Sequence, residues 1–221
     1  MRNVHVDWGM ARPRRLRVVG ASHHVIQRGN NRGDIFRSEC DCQVFVRMLS
    51  EASKRYRMDI HGYVLMKNHV HLLGTPHTST AIERTMQVAG SRYAGYFNRN
   101  NRRTGALFEG RYRSTVIDNE RYWINCLRYV ELNPVRAGIV STADQYRWSS
   151  YRANGLGLND ELVSPHELYV NLGPNDPSRQ QMWRTMCADS LSTEELDRIR
   201  FDLYEKSTLA AQLDLANRSS V

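Results

Sequence analysis

Lysine is nearly absent from this chain. Of 31 basic residues only Lys54, Lys67 and Lys206 are lysine; the other 28 are arginine. Long apolar runs are missing as well. No stretch of about eighteen apolar residues occurs, so no membrane-crossing helix is expected. The basic N-terminus, Met1 to Arg17, lacks the apolar segment of a secretory signal, and a cytoplasmic protein is expected. The four cysteines, Cys40, Cys42, Cys126 and Cys187, contain no CxxC pair, which argues against a zinc ribbon or a disulfide framework. Neither GxGxxG nor GxxxxGK(S/T) occurs, so no nucleotide cofactor is expected.

What is present is arginine, unevenly placed. The net charge is +8 over 221 residues. Residues 1–152 hold 25 Lys/Arg against 12 Asp/Glu (+13), and residues 153–221 hold 6 against 11 (−5). Codon bias would account for arginine over lysine but not for this confinement of positive charge. Arginine's planar fork suits bidentate phosphate contacts and stacking on bases, so a nucleic-acid partner follows. An apolar fraction of 41% is enough for a packed core.

Three regions emerge: a flexible basic arm over 1–15, a main domain over 16–152, and an acidic, mostly helical C-terminal extension over 153–221. Within the main domain Leu16 to Gln27 reads as a strand, closed by the turn signal Arg28-Gly29-Asn30-Asn31-Arg32-Gly33. A helix from Ser38 to about Arg57 buries Phe45, Met48, Leu49, Ala52 and Tyr56. Asp59 to Leu73 reads as one strand region, with Val64, Met66, Val70 and Leu72 on one face and His61, Tyr63, Leu65, Lys67, His69 and His71 on the other. A second helix, about Ser79 to Asn98, turns Ile82, Met86, Ala89, Tyr93 and Phe97 inward. Gly105 to Val116 is extended. A third helix starts near Asp118 or Asn119 and stops at Asn133, before Pro134. Ile139-Val140 is a possible short strand. Strands alternating with helices imply one central sheet, either parallel or an antiparallel split-βαβ sheet.

Two motifs carry chemistry. His69-Val70-His71 on a strand puts both imidazoles on one face, where they can hold a divalent cation against a phosphate. The same pair is also what two hydrogen-bonded histidines on a half-buried strand look like. Tyr129 offers a nucleophile, although a phenol of pKa near ~10 needs a polarised phosphate or a base to attack usefully. It is otherwise a helix core residue with its hydroxyl at the rim. Asn133, one turn on, is either a third metal ligand or a helix cap. Glu131 points elsewhere on the helix, as a surface charge or salt-bridge partner. Together the motifs suggest an enzyme that cuts and rejoins single-stranded DNA through a covalent phosphotyrosine.

Several segments are similar to a known family, the REP-associated tyrosine transposases, relatives of the single-tyrosine HUH transposases of small bacterial insertion sequences. They are His24-Val25-Ile26-Gln27-Arg28-Gly29-Asn30-Asn31, Tyr63 through Leu73, Gly110-Arg111-Tyr112, Leu127 through Gly138, and Trp148-Ser149-Ser150-Tyr151. The resemblance spans roughly residues 16–152. It implies an α+β fold, a ferredoxin-like antiparallel sheet flanked by helices. It implies His69 and His71 as metal ligands with Asn133 helping, Tyr129 as nucleophile, and Mg²⁺ or Mn²⁺ as the metal. His24 matches a family histidine, with a structural role, a DNA contact and metal ligation all open to it.

The substrate implied is single-stranded DNA with a hairpin from a palindromic repeat, cut through a 5′-phosphotyrosine intermediate, and the chain is expected to act as a monomer rather than a dimer. For DNA contacts the arginines to expect are Arg12, Arg14 and Arg15 in the arm, Arg28 and Arg32 in the first turn, and Arg102, Arg103, Arg111 and Arg113. Tyr112 is expected to stack on an unpaired base. Two other readings stand beside this one: a hairpin-binding module that does not cut, and a metal phosphodiesterase that uses water. The acidic extension could pack on the catalytic domain, bind the hairpin foot, or occupy the basic groove.

Overall fold

A computed structural model describes residues 18–206; the expected arm, with Arg12, Arg14 and Arg15, lies outside the described residues. Four strands, β1 (His23–Arg28), β2 (Met58–Met66), β3 (His69–Pro76) and β4 (Arg113–Val116), form one antiparallel sheet in the order β2-β3-β1-β4. Helix α1 (Glu39–Tyr56) joins β1 to β2, and α2 (Ala81–Asn100) joins β3 to β4. Each crossover skips one strand, which is the split-βαβ topology of a ferredoxin-like sheet. The α+β expectation holds, and the parallel alternative does not.

The helices form where the sequence signals them. Ser38 and Asp41 make a reciprocal capping box at the start of α1, and Arg57 ends it in the left-handed conformation at φ 58°. Its apolar face joins that of α2 and one face of the sheet, with Phe45, Leu49, Tyr63, Leu65, Val70, Leu72, Tyr93 and Phe97 all buried. Each such side chain taken out of water stabilises the fold by about 1.5–3 kcal/mol.

Asp59 to Leu73 is not one strand. Lys67 and Asn68 form a two-residue loop, and Met66 pairs with His69, Leu65 with Val70 and Val64 with His71. Residues that pair across a tight hairpin share a face, so the alternation changes parity at the turn. Val64 and Met66 therefore lie with His69 and His71, and Leu65 lies with Val70 and Leu72. The loop carries none of the Asn-Gly or Asp-Gly signals that mark such turns.

The second face of the sheet is covered by α3 (Glu120–Glu131), capped at its N-terminus by the Asn119 side chain. Leu127 and Val130 are fully buried, as expected. Gly62 of β2 admits this helix, because a Cβ there would stand 2.2 Å from Leu127 Cδ1. The helix stops at Glu131 rather than Asn133, and a short α4 (Asn133–Arg136) follows with Pro134 in its first turn. Ile139 is 52% exposed and Ile139-Val140 forms no strand, since nothing pairs with it.

Beyond Trp148 come α5 (Tyr151–Asn154), α6 (Glu167–Val170), α7 (Asp176–Ala188), α8 (Thr193–Phe201) and a π turn, Asp202–Lys206. Their buried residues, among them Tyr169, Trp183, Ile199 and Leu203, share one cluster with Trp123, Cys126 and Leu127 of α3. The extension thus packs directly behind α3. Among the described residues no helix is long and apolar enough to cross a membrane.

Candidate active site

Pairing in the sheet gathers the site. His69 and His71 of β3 stand opposite Arg28 and Ile26 of β1, and His24 lies on the same face of β1 two residues before Ile26. That face meets α3. The Tyr129 ring lies 5.7 Å from His71 and 5.8 Å from His24, and the His69 and His71 rings are 5.0 Å apart, all centroid to centroid. Three distant segments of chain thus meet at one point.

The imidazoles are oriented by their Nδ1 atoms. His69 Nδ1 lies 2.7 Å from Asn68 Oδ1, and His71 Nδ1 lies 2.9 Å from His24 Nε2. Among the described residues no hydrogen bond engages Nε2 of His69 or of His71, so both are free to point at a ligand. Burial lowers the His69 pKa to about 4, with Arg28 adding to the effect. Burial also pushes His71 well below the ordinary value, helped by His24, His69, Arg136 and Arg28, and brings His24 to about 3 with help from Arg136. All three rings are neutral at pH 7, the state that ligates cations. Among the described residues no group of three or more His, Cys, Asp or Glu is set to hold a metal. His69 and His71 stand as a pair of neighbouring imidazoles, with His24 behind them.

Tyr129 is only 6% exposed, and its side chain lies within reach of the Arg136 guanidinium. It opens into a cleft of about 550 Å³ lined by Arg28, Arg32, Asn68, His69, Tyr129, Arg200 and Tyr204. A second cleft of about 270 Å³ adjoins it, sharing Arg28, Arg32 and Tyr204 and adding Arg111, Arg113 and Glu109. Asn133, four residues after Tyr129, is buried, and its side chain makes no hydrogen bond among the described residues. A larger cleft of about 710 Å³ lies between α1 and residues 147–162, away from these groups.

The residues marked out by sequence divide. His69, Tyr129, Arg28, Arg32, Arg111 and Arg113 line the two adjoining clefts, and His71 is buried against the Tyr129 ring. Arg102 and Arg103 line neither cleft, and an Arg103 N–H donates to the Ala106 carbonyl at 3.1 Å. Tyr112 requires correction. It is 7% exposed and packed in the core beneath α1 and α2, so its ring is not offered to a base. Its neighbours Arg111 and Arg113 alternate outward, and that alternation sends Tyr112 in.

Glu131 is corrected too. It is fully buried, with Ser150 Oγ (2.6 Å) and Asn154 Nδ2 (2.7 Å) donating to Oε1 and Trp183 Nε1 (2.7 Å) donating to Oε2. Burial raises its pKa to about 7 against the pull of those three donors.

Three contributors escaped the sequence reading. Arg136 lies over the Tyr129 ring, with its guanidinium carbon 4.0 Å from the centroid. Arg200 and Tyr204 come from the acidic extension, where summed charge concealed them. Arg28 donates to the Tyr204 hydroxyl (2.7 Å), and Arg113 donates to the Tyr204 carbonyl (3.1 Å). Both guanidiniums stand over its ring, at 5.3 and 5.6 Å.

The model of one family, the IS200-like transposases, matches residues 17–133, just over half of the chain. The chain belongs to the IS200-like transposase family. The matched segment holds His24, His69, His71, Tyr129 and Asn133, and it places this family member among proteins of DNA transposition. A REP-associated tyrosine transposase, solved bound to a REP hairpin, shares the fold at TM-score 0.54 and 15% identity, over 71% of this chain and 93% of that one. A transposase structure from Deinococcus radiodurans aligns at TM-score 0.39 and 16% identity, over 50% of this chain and 89% of that one. The tRNA(His) guanylyltransferase of Saccharomyces cerevisiae aligns at TM-score 0.41 and 12% identity, over 80% and 81%. No curated protein matches.

Proposed function

We propose that this transposase cuts and rejoins single-stranded DNA at palindromic repeat hairpins through a 5′-phosphotyrosine formed on Tyr129. The observation that carries the reading is Tyr129 itself, lining an arginine-rich cleft beside His69 and in ring contact with His71. Arg28, Arg32, Arg111 and Arg113 supply the charge that a DNA backbone needs, and Arg200 joins them from the extension.

The donor set fits a divalent cation, because both Nδ1 atoms are engaged and both Nε2 atoms are left for ligation, with the Asn133 side chain unbonded nearby in sequence. Mn²⁺ or Mg²⁺ held by His69, His71 and Asn133 would supply positive charge to the non-bridging oxygens of the scissile phosphate. For His71 to ligate through Nε2, its proton must sit on Nδ1. His24 Nε2 then accepts that proton's hydrogen bond, which gives His24 the role of fixing the tautomer.

Tyr129 Oη attacks phosphorus in line, the P–O3′ bond breaks, and the strand is left as a 5′-phosphotyrosyl protein and a free 3′-OH. A second 3′-OH reverses the step at a new site. Phosphodiester energy is conserved, so no nucleotide is consumed. A monomer is the form we favour over a dimer, and the meeting of Tyr129 with the histidines of the same chain supports it.

The test uses 5′- and 3′-labelled single-stranded hairpin oligonucleotides from the palindromic repeats of the source genome, with Mn²⁺ or Mg²⁺, resolved on a denaturing protein gel. Label from the 3′ side of the break should travel with the wild-type protein and vanish in Tyr129→Phe. His69→Ala and His71→Ala should bind the hairpin and form no adduct. Cleavage without adduct, retained in Tyr129→Phe, would assign a water-using phosphodiesterase. Binding with neither would assign a hairpin-binding module.

A further inference from the structure

We propose that Arg136 is a positioning residue for the nucleophile, fixing the Tyr129 ring and laying a cation on the face where phenolate charge builds up. The inference rests on the tyrosine reading above. It begins with the way α3 ends. The last carbonyls of a helix have no helical partner. Beyond them Pro134 sets the backbone and Gly138, at φ 68°, reverses it. The Gly138 N–H bonds the Val135 carbonyl and the Ile139 N–H bonds the Pro134 carbonyl, both at 2.9 Å. Arg136 stands in α4 just before this reversal, seven residues after Tyr129, and its side chain reaches back over the end of α3.

There the side chain meets Tyr129 at its backbone and at its ring. A guanidinium N–H donates to the Tyr129 carbonyl at 2.8 Å, and the guanidinium carbon lies 4.0 Å from the Tyr129 ring centroid. A helix cap needs only the first contact. The second has a different consequence. A cation against the face of an aromatic ring favours electron density in that ring, and a phenol ring gains density as its oxygen gives up a proton. Arg28 and Arg200 also line the cleft, but among the described residues Arg136 is the cation that lies over this ring. A guanidinium keeps its charge at every pH of interest.

The atoms balance in both directions. In cleavage the Oη proton passes to solvent, the Oη–P bond forms, and the P–O3′ bond breaks, with the 3′ oxygen taking up a proton. In rejoining, a 3′-OH loses its proton and bonds to phosphorus, and Tyr129 leaves as a phenolate that is then protonated. Charge visits the ring on both paths, so Arg136 acts on both.

The experiment follows single-turnover adduct formation by the full chain at saturating hairpin DNA with Mn²⁺, with DNA affinity and thermal melting measured in parallel. The variants are Arg136→Met, Arg136→Lys and Arg136→Gly, the last with and without millimolar guanidinium ion. Arg136→Met should slow the adduct on the order of 10-fold or more, and slow rejoining by the same factor, with DNA affinity unchanged. Arg136→Lys should recover part of the rate, since the charge remains and the planar fork is lost.

Arg136 is an exposed residue, so a small cation can reach its place. Guanidinium ion should therefore speed Arg136→Gly and leave Tyr129→Phe inert. Arg136→Met reacting at the wild-type rate would overturn the inference. So would a loss confined to DNA affinity, or a loss that neither lysine nor guanidinium ion repairs, which would make Arg136 a phosphate contact or a helix cap only. Wild-type protein that forms no adduct would overturn the tyrosine reading itself.

Discussion

Glu131 shows what a single buried charge demands. Among the described residues no cation pairs with it; three neutral donors hold its two oxygens, and burial raises its pKa to about 7. Removing one side of such a network is more damaging than removing both, because the remaining partners stay buried and unbonded. Glu131→Leu should lower stability by about 3–5 kcal/mol in denaturant melts. Trp183→Phe, which removes one donor, should lower it by about 1–3 kcal/mol. A Leu variant that melts with the wild type would remove the network from any account of this fold.

His61 makes the complementary case for pH. Its Nδ1 lies 2.7 Å from the Ser164 carbonyl and its Nε2 2.8 Å from Thr75 Oγ1, and burial lowers its pKa to about 4. A folded pKa below the unfolded value near 6.5 means that the unfolded chain binds the proton first. The stabilisation from neutral His61 is thus fully present above pH 6.5 and fades as pH falls through about 4, by up to about 3 kcal/mol. Comparing His61→Gln with the wild type from pH 7 to 4 isolates the effect: the gap in melting temperature should narrow toward acid. A gap that is constant with pH would contradict it.

At the scale of elements, the turn after β1 and the β2–β3 hairpin decide where the groove lies. A Cβ on Gly29 would stand 2.1 Å from the Gly33 carbonyl oxygen, which is backbone and cannot swing aside. Gly29→Ala should destabilise the protein by roughly 1–3 kcal/mol and displace Arg32, weakening hairpin binding in an anisotropy titration. Unchanged binding and stability would show that the turn can relax.

The same elements show what sequence could reveal. The Ser38 cap, the periodic face of α1 and all five inward residues of α2 were readable, because local hydrogen bonds and a 3.6-residue period leave marks within one segment. The hairpin at Lys67-Asn68 was not, since its loop lacks the usual turn residues while apolar alternation runs straight through it. Nor was the burial of Glu131. Its partners lie 19, 23 and 52 residues away, and only tertiary packing brings them in. His69, His71 and Tyr129 stood out by residue type and spacing. Arg136 did not, because Pro134 reads as the end of the helix, whereas α4 carries the chain one more turn, to Arg136.

For the molecule as a whole, charge is sorted by place rather than by sequence half. The chain has +13 before residue 153 and −5 after it, yet Arg200 faces the groove from the acidic side. Arg32 and Arg111 are exposed, and their side chains make no hydrogen bond among the described residues. If each neutralises one phosphate, Arg32→Ala and Arg111→Ala should each flatten the slope of log affinity against log salt by about 0.7 on single-stranded DNA. Slopes equal to wild type would move the DNA path away from this groove.

The Trp183–Glu131 hydrogen bond also has a bearing on descent. Tyr129 and the histidines proposed to act with it lie between His24 and Asn133, within the span that the family model covers, yet the carboxylate two residues after Tyr129 is held from α7, far outside it. A catalytic segment carried by recombination into a new gene without that helix would arrive with a buried carboxylate short of a donor. Glu131 and Trp183 should therefore be inherited as a pair: across lineages of this protein, a change at one should coincide with a change at the other.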